Sequence, residues 1–160
     1  ELASQLGLAP GMRVLDVGSG LGGASRYMAQ THGVRVSGVD LTPENVEAAR
    51  RLAELAGLAD RVEYRQAGAL ALPFASGEFD AATMLHVGMN IADKAALTAE
   101  LRRALKPGGV LGIYDVMLGG SGEPHYPAPW AATPATSFVT RAQQRRHSTA
   151  GRCSSKPCGR

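Results

Sequence analysis

The chain has 160 residues, 44% hydrophobic and 19% charged, which is enough apolar material for one packed domain. No run of about 18 apolar residues occurs, so a single-helix membrane span is not expected. The formal charge of +3 is unevenly placed: Arg141, Arg145, Arg146, Arg152, Lys156 and Arg160 follow Thr140 without an acid, and without these six the 17 bases fall to 11 against 14 acids, a net of −3. A basic nucleic-acid footprint therefore does not belong to the folded part. Cys153 and Cys158, with His147, fall short of the roughly four ligands of a structural zinc site, so no metal is expected. Glu1 opens the chain with neither an initiator Met nor a basic-then-apolar signal region. The sequence thus reads as part of something longer, with a cytoplasmic setting as the default.

In chain order, "MRVLDV" after the "APG" turn is a short apolar run of strand length, and a helix follows from about Gly23 to Thr31. "VRVSGVD" is a second strand ending at Asp40. Thr42-Pro43 then supplies a helix cap followed by proline at the first helical position, with Glu44 in the positive first turn. Val46, Ala49, Ala53 and Ala56 recur at steps of three and four, the spacing of one helix face. "RVEYRQ" and "FDAATML" are the third and fourth strands. Leu97, Leu101, Ala104 and Leu105 mark another helix, stopped by Lys106-Pro107-Gly108-Gly109, and "VLGIYDV" is the fifth strand.

Alternating strands and helices with short turns imply an α/β fold, a doubly wound parallel sheet with helices on both faces. Ligands in such sheets lie beyond the carboxyl ends of the strands, near the switch point. Asp16 to Gly23, Asp40, Gly68, His86 and Asp115 fall on that rim. The glycines Gly18, Gly20 and Gly23 fit G-x-G-x-x-G, which by itself suits a dinucleotide. Asp16, closing the first strand just before them, would oppose a pyrophosphate and favour an ammonium group. Glycines let a backbone approach, the helix N-terminus beyond Gly22 can receive a carboxylate, and Asp40 can accept both ribose hydroxyls. An amino acid joined to a nucleoside without phosphate meets these demands, as S-adenosylmethionine does. A dinucleotide is the alternative, and Asp16 as a turn former with Asp40 as a helix cap is the purely structural one.

"VLDVGSGLGG", "VSGVDLT", "LPF…GEFDAA" and "LKPGG" together resemble class I S-adenosylmethionine-dependent methyltransferases, nearest the small-molecule group with ubiquinone/menaquinone-type and sarcosine/dimethylglycine-like enzymes. The resemblance covers Gly11 to about Val139. It implies a Rossmann-like sheet in the order 3-2-1-4-5. It also implies that Asp16, Gly18, Ser19, Gly20 and Gly22 hold the methionine part, that Asp40 binds ribose, and that Leu41 packs on adenine. Two departures stand out. Where the family has an acid after the third strand, this chain has Gly68 within Ala67-Gly68-Ala69, leaving the backbone of Gly68, Ala69 and Leu70 to contact adenine. One lost contact of that kind costs about 1–3 kcal/mol, so weak cofactor binding is expected. The family's closing C-terminal strands are also missing: after Val139 the sequence turns basic and loses apolar periodicity. Residues 1–139 then form an incomplete cofactor-binding domain and 140–160 a basic tail, read either as disorder or as a frameshifted gene end. The fifth strand is left as an uncovered edge, open to self-association.

Methyl transfer from a sulfonium needs orientation and a dry site more than acid–base help. Leu85 and His86, at the end of the fourth strand, would lie near the transferable methyl. His86 is the candidate to orient the nucleophile or take its proton, and a structural histidine is the plainer reading. Asn90 is a candidate polar contact. His125, Tyr126 and Trp130 of "PHYPAPW" are candidates for an aromatic acceptor pocket, or else a plug under a proline-rich loop. The functions in contention are a methyltransferase acting on a small molecule, a nicotinamide-dependent oxidoreductase, and a cofactor-binding remnant without turnover.

Overall fold

The structure, a computed structural model, describes residues 2–118 and 124–137; the predicted basic tail lies outside them. Five parallel strands, β1 (Arg13–Val17), β2 (Arg35–Asp40), β3 (Val62–Gln66), β4 (Phe79–Leu85) and β5 (Leu105–Tyr114), form one sheet in the order β3-β2-β1-β4-β5. This is the expected Rossmann-like order, and among the described residues no strand follows β5. β1 is central because it is apolar on both sides. Val14 faces α2 (Gly23–His32) and α3 (Pro43–Leu55), packing with Met28, Ala29, Val46, Ala49 and Ala53. Leu15 and Val17 face α4 (Lys94–Ala104), packing with Leu97, Leu101 and Ala104. Helices thus cover both faces, which is why the inner strands β1, β2 and β4 are buried along most of their length, while the edge strands β3 and β5 are not.

Local chemistry sets the helix ends. Gly33, left-handed at φ 67°, closes α2 by donating its N–H to Ala29 O. The Asp93 side chain caps α4, accepting from Ala96 N at 2.8 Å, while Arg102 and Arg103 sit in its last turn beside the negative end of the helix dipole. Thr42 does precede Pro43, but its hydroxyl makes no cap bond. Asp40 Oδ1 takes the Thr42 N–H instead, at 3.0 Å.

The sequence reading needs correction at Leu105. Lys106-Pro107-Gly108-Gly109 does not separate a helix from a strand: β5 starts directly after Ala104. The register jumps from Phe79↔Leu105 to Ala81↔Val110, so the tetrapeptide bulges out of the ladder. Proline has no N–H to give the ladder, and a bulge is where that lack is tolerated. Lys106 Nζ pairs with Asp80 Oδ1 at 2.6 Å and fastens it. A four-residue helix not foreseen, α1 (Leu2–Gln5), lays Leu2 and Leu6 against Gly112 of β5, where a side chain would leave no room. The other edge of β5 is unpaired among the described strands, and Val110, Ile113 and Tyr114 are exposed there. No helix among the described residues is long and apolar enough to cross a membrane.

Candidate cofactor site

The loop after β1 is built on β2. Gly18 and Ser19 donate their N–H groups to Val39 O at 2.8 and 2.9 Å, and Gly20 N–H donates to Asp40 Oδ2 at 2.8 Å. Gly18, Gly20 and Gly22 all have left-handed backbones, with φ of 70°, 53° and 73°. At two of them space is denied as well. A Cβ on Gly18 would strike Val87, and one on Gly22 would come within 2.5 Å of Tyr64 Cζ. Gly23 opens α2 with nothing near it, so the motif's third glycine has no such duty here. The Tyr64 ring lies beneath the loop, donates its hydroxyl to Gly22 O at 3.2 Å, and equally excludes a side chain at Gly38.

A cavity of about 440 Å³ opens beside this loop at the carboxyl ends of β1, β2 and β4. Gly18, Asp40, Leu41, Gly68, Ala69, Leu85, His86 and Asn90, all foreseen, line it together. Asp40 is its one carboxylate. Its Oδ1 accepts from Thr42 N–H and from Asn45 Nδ2 at 3.2 Å, and its Oδ2 from Gly20, so it is aimed rather than free. Leu41 is 72% exposed, its Cδ1 reaching to within 3.9 Å of where a Gly68 Cβ would stand. The pair make an apolar edge beside a bare backbone. His86 holds a left-handed backbone at φ 57°, donates its N–H to Tyr114 O at 2.8 Å, and packs its ring edge-on to Tyr114 at 5.0 Å. A strained non-glycine residue at a cavity wall is a common mark of a working position.

Other foreseen residues stand elsewhere. Asp16 does not line the cavity. It is 2% exposed, beneath the loop, and accepts from Ser25 Oγ at 2.5 Å and Thr83 Oγ1 at 2.9 Å. Burial pushes its carboxyl above the ordinary value, the two hydroxyls oppose that, and the Asp40 charge adds to it. Ser19 lies behind the wall, with a buried Oγ that has no partner. Gly20 and Gly22 shape the loop without facing the cavity, and Leu70 projects into solvent. His125, Tyr126 and Trp130 do not reach this cavity. Their segment folds on itself through paired bonds between Ala128 and Ala131, and Trp130 Nε1 donates to Ser137 Oγ at 3.2 Å. Asn45, Val87 and Ile91 line the cavity without having been foreseen. For Asn45 a signal existed: it lies five residues after Asp40, in the first turn of α3. A second hollow, about 490 Å³, lies at the opposite ends of β1–β3 among Arg13, Arg35 and Arg61. It includes none of the foreseen residues and lies away from the rim where this topology puts ligands.

Left-handed glycines, a fixed acid at the end of β2 and an apolar edge beyond it define a Rossmann-like nucleoside-binding domain. A family described as "Methyltransferase domain" matches residues 15–113, and the chain belongs to that family. Among curated relatives, the 2-methyl-6-phytyl-1,4-hydroquinone methyltransferase of Synechocystis is 39% identical over 108 residues, covering 68% of this chain and 33% of the relative. Among solved structures, the [4+2]-cyclase SpnF aligns with TM-score 0.77 and 29% identity, covering 88% of this chain and 51% of that one. Geranyl diphosphate C-methyltransferase from Streptomyces coelicolor A3(2), in complex with Mg2+, geranyl diphosphate and S-adenosyl-L-homocysteine, aligns with TM-score 0.65 and 32% identity, covering 68% and 40%. The chain spans between about a third and a half of the curated relatives it matches. These likenesses give the nicotinamide alternative no support.

Proposed function

We propose that this chain binds S-adenosylmethionine at the rim of β1, β2 and β4 and directs its methyl group to a small-molecule acceptor. The observation that carries the reading is Asp40, the one carboxylate lining the cavity, pre-aimed into it by three donors. Two ribose hydroxyls suit it, whereas a phosphate would be repelled. Gly18, the loop glycine that lines the cavity, leaves its backbone open to the amino-acid end of the same ligand. Gly68 and Ala69 offer adenine backbone groups with no acid beside them, and Leu41 offers an apolar face.

When bound, the cofactor supplies an activated methyl on a sulfonium with a thioether as leaving group. The chain's part is placement. Asp40 orients the ribose, Asp16 sets a negative field under the loop that favours an ammonium, and Leu85 keeps the reaction side of the cavity apolar. His86 is the group placed to hold the nucleophile or to take its proton where it has one to lose. Asn90 lines the same cavity. Residues 1–139 make up the cofactor-binding unit of this reading, in a cytoplasmic setting without nucleic acid, and the open edge of β5 supports self-association.

A cofactor-holding domain with another chemistry is the second reading, favoured by the extent of the match to a cyclase. Calorimetric titration with S-adenosylmethionine, S-adenosylhomocysteine and NAD tests the cofactor. Wild type should bind the first two, and Asp40→Ala should bind them at least tenfold more weakly. Tighter NAD binding, or equal affinity in the variant, overturns the site. Appearance of S-adenosylhomocysteine over a panel of small acceptors then selects methyl transfer, and its absence with intact binding selects the second reading.

A further inference from the structure

The loop that carries His86 is held from below by a group outside the cavity. Residues 85, 86, 87, 90 and 91 line the cofactor cavity, with a 3-10 turn at Gly88–Asn90 between them. Lys94 opens α4, where a cation meets the positive end of the helix dipole, a placement that costs stability. Its ammonium turns back and donates to two carbonyls of the turn, Gly88 O and, at 2.7 Å, Ile91 O. Asp115, just past β5, meets the same Gly88 from the other side without an ion pair to Lys94 at contact distance. Burial holds the Lys94 pKa below its usual value, and the more distant Asp115 charge opposes that shift. One Asp115 oxygen accepts from Val116 N–H at 2.9 Å, and the other lies so close to Gly88 that a Cβ there would displace it.

We propose that Lys94 and Asp115 form a clamp joining α4, β5 and the 86–91 loop, and that Lys94 is the positioning residue that keeps the His86 ring at the cofactor cavity. The proposal rests on the functional reading above in taking that cavity as the cofactor's. A lysine at this helix position has poor standing as a stabiliser of α4, so its two carbonyl bonds are what it contributes. With the clamp closed, the turn cannot slide along the end of β4. The His86 N–H bond to Tyr114 O, one residue before Asp115, then fixes the ring against Tyr114 from the other side.

Hydrogen exchange and the His86 ring resonances by NMR test this on the cofactor-free chain. Lys94→Met, which keeps the stem and loses the ammonium, should speed amide exchange at residues 88–91 at least tenfold and move the His86 ring signals away from the Tyr114 ring-current position. Exchange in β1 and β2 should stay unchanged. Lys94→Arg should restore most of the protection. Asp115→Asn, and Gly88→Ala through displacement of the carboxylate, should loosen the same amides and serve as second variants where Lys94→Met fails to fold. Unchanged loop exchange and ring signals in these variants, or loosening spread equally over the strands, overturns the clamp. Since no cofactor is present, failure of cofactor binding in wild type would overturn the function and leave this result standing on its own.

Discussion

Replacing Gly22 by alanine should reveal how the cofactor loop is supported. Gly22 is the N-cap of α2 at φ 73°, so an L side chain there meets the left-handed penalty of about 1–2 kcal/mol. The new methyl also enters the space of the buried Tyr64 ring, whose Cζ would lie 2.5 Å away, and such overpacking costs about 1–3 kcal/mol. Gly20 separates the two effects. It is left-handed as well, at 53°, but has no atom within 4 Å of its absent Cβ, so Gly20→Ala carries the backbone penalty alone. Urea unfolding followed by circular dichroism should place Gly20→Ala about 1–2 kcal/mol below wild type and Gly22→Ala roughly 2–5 kcal/mol below it. In a Tyr64→Leu background, which lacks the ring atoms that the new methyl meets, Gly22→Ala should cost only the backbone penalty of about 1–2 kcal/mol. Equal destabilisation by the two alanines, or an unchanged Gly22→Ala cost in the Tyr64→Leu background, would refute the claim that the Tyr64 ring fills this notch.

Asp16→Asn removes a buried charge. Because its folded pKa lies above the unfolded one, the wild type loses stability as pH rises through the unfolded and then the folded value. Thermal melts should show that decline flattened in the variant, while affinity for S-adenosylmethionine falls by roughly tenfold, about 1.4 kcal/mol, in calorimetry. Glu100 is held at about 2, first by its bonds to Arg103, so its contribution is complete above its ordinary 4.5 and lost as pH falls toward 2. Glu100→Gln should cost about 1 kcal/mol at pH 7 by denaturant titration, solvent screening the pair, and the gap to wild type should close over that acidic window. Ile113→Lys on the open strand should abolish any concentration-dependent increase in size seen for wild type by light scattering, and an unchanged profile would show that β5 is not the contact.

The sheet was legible because its inner strands are buried on both sides. Val14 and Leu15 face opposite helix layers, and each is fully buried there. Asp40 was legible because an acid ending such a strand points past the core. Asp16 read the same way by position, yet Ser25 and Thr83 turn its carboxylate inward, a fact fixed by residues 9 and 67 positions away. The bulge at Lys106-Gly109 was hidden because proline and glycines mark a stop and a bulge with the same letters. α1, at four residues, is too short to show a period. The aromatic segment 124–130 was read as reaching the rim, but its short-range bonds fold it onto itself instead. Lys94 gave no sign, since its importance lies in where its ammonium bends, which spacing does not encode.

Tyr64 belongs to the outermost strand, yet it fills the notch left by Gly22 and Gly38 at once. The three positions share one fixed volume across β3, β2 and the start of α2. A chain that trades glycine for alanine at either notch must therefore shrink the phenol in the same step. In related sequences these three sites should vary as a set, with bulk conserved in sum rather than residue by residue.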